Sequence, residues 1–213
     1  MAAEGAAGGC AAFSKMPLTT DVLLELDGVS ARTAREAIDY VRAIPESGWG
    51  KVQPRSHDRT RIRFGKQEFY RAKNGGELPP PLRALGEEAF ESVRARLPPA
   101  LAARFRPKNC VLNKYAKKKG VAKHTDANDK WVPLVIGVTL MRRPEDPVSS
   151  MQFESLPGAP KLEKVRIGTP HRSVYVFFGD GFDRATHERV KGSAKQREDI
   201  YSFTFRCGEG ELE

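Results

Sequence analysis

A histidine and an aspartate stand two residues apart at His124 and Asp126, within the segment VAKHTDAND (121–129). In an extended strand the side chains of residues i and i+2 point to the same face, so this pair can offer an imidazole and a carboxylate to one metal ion. One more histidine from a neighbouring strand would complete a two-histidine, one-carboxylate set. Such a set binds iron(II) and leaves coordination positions open for small ligands.

The chain contains four histidines, so few residues can supply the third ligand. His187 is the best candidate, because it follows the apolar run SVYVFFG (173–179) and the turn DGFD (180–183). His57 lies in a basic segment that is predicted to be a loop, and His171 follows a proline at the start of a strand, where it is expected to face a turn. We therefore expect His124, Asp126 and His187 to form the metal site.

A second polar set follows from the alternation in the last apolar run, IYSFTFR (200–206). Ser202, Thr204 and Arg206 share one face of this predicted strand, with Ile200 at its start. An arginine that points into a protein interior needs an anion, which a carboxylate can supply through a bidentate pair. Asn113 and Tyr115 share a face of an earlier strand, and they offer an amide and a phenol to the same anion.

The chain is basic, with a formal net charge of +9, and the charge is concentrated in two stretches. Residues 51–73 contain eight bases and two acids, and residues 104–123 contain eight bases and no acid. Each stretch alone could be an ordinary solvated face. Together, with aromatic residues interleaved, they indicate a surface that binds a polyanion such as DNA or RNA. Lys117, Lys118 and Lys119 stand just before the His-x-Asp pair.

The elements that must position these residues are helices first and strands later. Residues 21–27 are predicted to be a strand, 30–44 and 82–97 amphipathic helices, and 79–81 an extended proline segment. After residue 98 about eight short β-rich runs predict an antiparallel sandwich or barrel. The fold class is therefore α+β and mainly β. We expect a disordered tail over 1–17 and one domain over 18–213, divided into a helical part (18–100) and a β core (101–213).

Composition narrows the cellular context. Cys10, Cys110 and Cys207 are an odd and scattered set, which argues against a disulfide framework or a zinc ribbon and favours a reducing compartment, the cytoplasm or nucleus. No apolar run reaches the roughly 18 residues that a membrane span needs. We expect a monomer that does not bind a membrane.

These motifs also resemble a known family. NKY (113–115), HTD (124–126), a single histidine after a turn that contains Gly-Asp, and SFTFR (202–206) occur in the order found in AlkB-like iron(II)/2-oxoglutarate dioxygenases. The resemblance covers about residues 111–206 and implies a double-stranded β-helix, a jelly roll, preceded by two helices. It implies that His124, Asp126 and His187 bind iron(II). The residues implied for the 2-oxoglutarate pocket are Asn113, Tyr115, Ser202, Thr204 and Arg206.

The resemblance further implies an activity: 2-oxoglutarate and O₂ are converted to succinate and CO₂ while a substrate C–H bond is hydroxylated. On an N-methylated base in DNA or RNA this chemistry removes the methyl group as formaldehyde. Residues 64–97 resemble the family's substrate lid and the region after it. A base flipped out of a duplex would stack on aromatic residues and leave its phosphates to arginines. The candidates are Phe64, Phe69 and Tyr70 for stacking and Arg61, Arg63 and Arg71 for phosphates, although each aromatic residue taken alone is better explained as ordinary core.

One departure from the family concerns position 200. The family usually has an arginine six residues before the last one, and both hold the cosubstrate, whereas this chain has Ile200. Arg197 lies at an odd offset and is expected on the opposite face, so Arg206 is expected to carry most of the distal carboxylate. Two alternatives therefore stay open. One is the same chemistry on a protein side chain, a small molecule or a 5-methyl base, and the other is a nucleic-acid-binding module with a degenerate site.

Overall fold

The structure, a computed structural model, describes residues 21–51, 59–65, 77–126, 132–156 and 164–208. Four α-helices lie in these ranges: α1 Ala31–Ala43, α2 Pro80–Val93, α3 Pro99–Arg104 and the single turn α4 Asp180–Asp183. The strands are β1 Val22–Glu25, β2 Gly50–Lys51, β3 Thr60–Phe64, β4 Asn109–Tyr115, β5 Val121–His124, β6 Leu134–Met141, β7 Ser149–Ser155, β8 Val165–Thr169, β9 Ser173–Phe178, β10 Ala185–Arg189 and β11 Ile200–Arg206.

The strands form two antiparallel sheets. The larger has the order β1-β9-β6-β11-β4-β3-β2, and the smaller has the order β5-β10-β7-β8. From β4 onward the chain passes repeatedly between the two sheets, so that strands close in sequence seldom pair with each other. This is the connectivity of a jelly roll, and it confirms the predicted double-stranded β-helix.

The large sheet is buried on both faces, and the alternation of its strands decides what each face carries. In β11 the odd-numbered residues Tyr201, Phe203 and Phe205 belong to the main hydrophobic core together with residues of α1 and α2. The even-numbered residues Ser202, Thr204 and Arg206 line a cavity instead. One face of β11 therefore packs against the helices, and the other face supplies polar groups to the cavity.

A second apolar cluster lies between the two sheets. It consists of Val22, Val111, Val135, Met151, Phe153, Ile167, Tyr175, Phe177 and Phe182. Because this cluster fills only part of the space between the sheets, a polar cavity remains beside it.

The two long helices, α1 and α2, are those that the sequence predicts, but their first and last residues differ from the predicted ones. The Oγ of Ser30 accepts a hydrogen bond from the backbone N–H of Thr33 at 3.2 Å and caps α1. Helix α2 begins at Pro80, so the prediction that 79–81 is wholly extended is wrong, because prolines fit the first helical turn. The short α3 was not predicted. No helix in the described ranges is long and apolar enough to cross a membrane.

Candidate metal centre and cosubstrate pocket

The metal centre is built by the pairing of β10 with β5. His187 and His124 are direct partners in this antiparallel pair, and the centroids of their rings are 4.4 Å apart. Asp126 follows two residues after His124, and its Oδ2 lies 3.6 Å from Nε2 of His187. One ligand atom from each of the three residues lies within 4.8 Å of the others. A single ion can therefore contact all three.

Hydrogen bonding and burial prepare both imidazoles to act as ligands. Nδ1 of His124 lies 2.9 Å from the carbonyl oxygen of Ala122, so this nitrogen carries the proton and Nε2 faces the centre. Burial lowers the pKa of His124 and lowers the pKa of His187 to about 3. Both rings are thus neutral at physiological pH, as metal binding requires.

The third candidate ligand, Asp126, is an ionised carboxylate. Burial alone would raise the pKa of Asp126, but the positive charge of Arg206 is the largest opposing effect, and the pKa is lowered to about 2. Two neutral imidazoles and one carboxylate form the donor set that suits non-haem iron(II), so the residues fit that ion. His171 is not part of the set, because its Nδ1 accepts a hydrogen bond from the backbone N–H of Met141 at 3.0 Å. His57 lies outside the described residues.

A cavity of about 200 Å³ opens beside the metal centre. The residues predicted for the cosubstrate all line it together with the triad: Asn113, Tyr115, Ser202, Thr204 and Arg206. They are brought together because β11 pairs with β4, which places Ser202 opposite Asn113. β11 also pairs with β6 along its other edge, where Ser202 lies opposite Thr139. The Oγ of Ser202 is 3.2 Å from the hydroxyl of Tyr175. Tyr175 is a lining residue that the sequence analysis did not single out.

Arg206 lies at the metal end of this cavity. Its Nη2 forms a salt bridge with Oδ2 of Asp126, and its side chain is 13% exposed. The sequence predicts that Arg206 holds the distal carboxylate of the cosubstrate. Because the guanidinium of Arg206 pairs with the carboxylate of Asp126, Arg206 instead lies beside the end of the cosubstrate that would bind the metal.

Ile200 points inward, as predicted, but it does so within a small apolar cluster. It is 3% exposed and packs with Tyr115, Val121 and Met141. Arg197 is exposed and lies before β11 begins, so the strand alternation on which its predicted placement rests does not apply to it. Neither residue lines the cavity.

The structure places a different arginine near Tyr115. Arg189 in β10 is 3% exposed and lines the cavity, and its guanidinium carbon lies 5.1 Å from the ring centroid of Tyr115. Arg189 was not among the predicted site residues, although the sequence contains a signal for it. Arg189 follows His187 by two residues in the alternating segment ATHERV, so a strand that points the histidine inward does the same with the arginine.

Apart from Phe64, the predicted substrate residues fall into three groups. Arg61 and Arg63 line the cavity from β3, which lies between β4 and the edge strand β2, and Arg59 lines it from the residue before β3. Lys117, Lys118 and Lys119 are exposed in the turn between β4 and β5. Phe69, Tyr70 and Arg71 lie outside the described residues.

The prediction that Phe64 stacks on a base is wrong. Its side chain is 5% exposed and belongs to the core on the helix side of the sheet, where its ring centroid is 6.3 Å from that of Tyr40. The alternation of β3 explains this, because residues 62 and 64 face the helices whereas Arg61 and Arg63 face the cavity.

Comparisons with known proteins give matches in structure only. No protein-family model matches the sequence, and no curated protein matches it. The structure of OsALKBH1 superposes with a TM-score of 0.58 at 15% identity, covering 88% of this chain and 98% of that chain. A Pseudomonas putida prolyl-4-hydroxylase superposes with a TM-score of 0.59 at 13% identity, covering 89% and 94%. The chain therefore has the double-stranded β-helix fold of the iron(II)/2-oxoglutarate-dependent dioxygenases.

Proposed function

We propose that the protein is an iron(II)- and 2-oxoglutarate-dependent dioxygenase. The observation that carries the proposal is the placement of His124, Asp126 and His187 around one point between the two sheets, with ligand atoms within 4.8 Å of one another. Two further observations support it: burial lowers the pKa of both imidazoles, and the cavity beside them is lined by hydrogen-bond donors and arginines that suit a dicarboxylate.

The bound iron would supply activation of O₂, with 2-oxoglutarate oxidised to succinate and CO₂ as one oxygen atom is inserted into a substrate C–H bond. The residues of the chain bind and orient the reactants. Nε2 of each imidazole and the carboxylate of Asp126 would hold the iron, and the cavity beside them would receive the cosubstrate. Phe177 packs against His187, with ring centroids 4.7 Å apart, and adds an apolar surface to the wall of the cavity.

The substrate that we propose is an N-methylated base in DNA or RNA. Hydroxylation of the methyl group gives an N–CH₂OH compound, which splits into formaldehyde and the unmethylated base. The support is electrostatic: in the described part of the chain the cavity is lined by five arginines, Arg59, Arg61, Arg63, Arg189 and Arg206, and by one carboxylate, Asp126. An anionic substrate such as a nucleotide within a strand would be attracted to such a mouth.

A panel of methylated oligonucleotides tests this proposal. Purified protein with iron(II), 2-oxoglutarate and O₂ should release succinate and formaldehyde in equal amounts, and mass spectrometry should show loss of about 14 mass units, the CH₂ difference between N–CH₃ and N–H, from one oligonucleotide. The Asp126→Ala variant is the matched control and should release neither product. Succinate release that no oligonucleotide stimulates would disprove the nucleic-acid substrate but not the oxygenase.

The second candidate substrate is a protein side chain. It is supported by the prolyl-4-hydroxylase, which resembles this structure as closely as OsALKBH1 does, with TM-scores of 0.59 and 0.58. Proline-rich and basic peptides belong in the same panel. A gain of about 16 mass units, one oxygen atom, on a peptide would favour this candidate, because hydroxylation of a C–H bond there leaves a stable alcohol.

A further inference from the structure

Arg189 is a buried cation whose described partners are all neutral. Nη1 donates to the hydroxyl of Ser149 and, at 3.5 Å, to that of Thr169. Nη2 donates to the hydroxyl of Thr139 at 3.1 Å. Among the residues that the structure describes, no carboxylate forms a salt bridge with Arg189, and its Nε is buried without an acceptor. A buried arginine is expensive to leave without an anion.

The position of Arg189 is defined relative to Ile200. Tyr115 is the direct cross-strand partner of Ile200, and the guanidinium carbon of Arg189 lies 5.1 Å from the ring centroid of Tyr115. The guanidinium therefore reaches the region that a longer side chain at position 200 would occupy. It enters from β10 in the small sheet, whereas position 200 belongs to β11 in the large sheet.

Two cations, the partly buried Arg206 and the buried Arg189, are arranged along the cavity. Arg206 pairs with the metal-binding Asp126, and Arg189 lies two residues beyond His187, on the same face of β10. Successive same-face residues in a strand are roughly 7 Å apart. A short dicarboxylate bound at the metal by one end can therefore place its other carboxylate beside Arg189.

We infer that Arg189 anchors the distal carboxylate of the dicarboxylate cosubstrate and so selects 2-oxoglutarate over monocarboxylic 2-oxoacids. The inference rests on the proposed function. The hydroxyls of Thr139, Ser149 and Thr169 hold the guanidinium in place, and Ile200 and Met141 pack beside Tyr115 without competing for the anion. The role that the family gives to an arginine in the last strand is thus performed by a residue of a different sheet.

Equilibrium binding to the Co(II)-loaded protein under nitrogen tests this inference without turnover. The ligands are 2-oxoglutarate and 2-oxopentanoate, which has the same carbon chain but no distal carboxylate. The wild type should bind 2-oxoglutarate roughly 100- to 1,000-fold more tightly than 2-oxopentanoate, since loss of one partner of a buried charge pair has that effect. Arg189→Gln should bring the two affinities within about 3-fold of each other, and Arg189→Lys should fall between the wild type and Arg189→Gln.

The controls separate the possible failures. Arg197→Gln removes an exposed arginine and should bind both ligands as the wild type does. If Arg189→Gln binds 2-oxoglutarate normally, or weakens both ligands equally, Arg189 does not bind the distal carboxylate and the inference is wrong. A wild-type protein that binds Co(II) but neither 2-oxoacid would refute the proposed function itself.

Discussion

His187 and His124 are direct partners across the antiparallel β5–β10 pair, with ring centroids 4.4 Å apart. The two residues come from strands that are far apart in sequence, and each strand supplies one imidazole to the same point. Asp126 follows His124 by two residues, so its carboxylate joins the two imidazoles in one donor set. The metal centre thus depends on the register of a single strand pair.

We predict that His124→Ala, Asp126→Ala and His187→Ala each lose iron(II) while the protein stays folded. The affinity for iron(II) should fall by more than the roughly 10- to 100-fold that is typical when a residue hydrogen-bonded to a metal ligand is changed. His171→Ala is the control: it removes a hydrogen bond to the backbone of Met141 and should cost about 1 kcal/mol of stability but keep the iron. Metal analysis after dialysis and circular dichroism measure both effects. Full iron content in His187→Ala would overturn the assignment.

For Arg206 we predict separate effects on metal and cosubstrate. Arg206→Met removes the cation that pairs with Asp126, so iron(II) no longer competes with a guanidinium for that carboxylate and its affinity should be equal or higher. The affinity for 2-oxoglutarate should fall by about 10- to 100-fold, because a hydrogen bond from a charged donor at the metal end is lost. Calorimetric titrations of each ligand distinguish the two effects. A variant that cannot hold iron would show that Arg206 supports the metal ligands instead.

The lysine turn provides a test of polyanion binding. Changing Lys117, Lys118 and Lys119 together to Ala should reduce the slope of log affinity for an oligonucleotide against log salt by about 2 to 3, since each phosphate contact contributes roughly 0.9. The control changes Arg32, Arg35 and Arg42 to Gln. These are three basic residues of α1, which packs on the side of the large sheet away from the cavity. Equal slopes in both variants would mean that only net charge matters.

Arg61 and Arg63 are predicted to act on the substrate and not on the cosubstrate. Both line the cavity from β3, on the side away from the helix-facing core. Replacing both with Gln should raise KM for the oligonucleotide at least about 10-fold, as expected for two lost contacts to charged groups. The affinity for 2-oxoglutarate should change less than about 3-fold. A larger loss of 2-oxoglutarate affinity than of oligonucleotide affinity would place these arginines in the cosubstrate pocket.

Gly137 is predicted to be required for the shape of the pocket wall. A Cβ at this position would overlap Cζ of Tyr175, whose ring is buried and whose hydroxyl is near Ser202. Gly137→Ala should therefore destabilise the protein by about 1–3 kcal/mol. Gly168→Ala is the matched control, because its Cβ would approach only the exposed side chain of Val148, at 3.3 Å. Urea denaturation measures both, and equal stabilities would show that Tyr175 can move aside.

Alternation along a strand was determined by the sequence itself. His124 and Asp126 share a face, Ser202, Thr204 and Arg206 share a face, and the structure brings all of them to one cavity. The reason is local: in any extended strand successive side chains point to opposite faces, whatever the strand pairs with. The same local property accounts for the alternating core residues of β11.

The tertiary structure alone decided which faces meet. The pairing of β10 with β5 brings His187 to His124, the same strand carries Arg189 to Tyr115, and the choice of face on β3 buries Phe64 and turns Arg63 toward the cavity. A register shift of one residue would invert each of these outcomes, because it moves every side chain of the strand to the opposite face, and the alternation of one strand does not state which strand it pairs with. Register is set by the packing of two sheets and the helices together, which is a property of the whole chain.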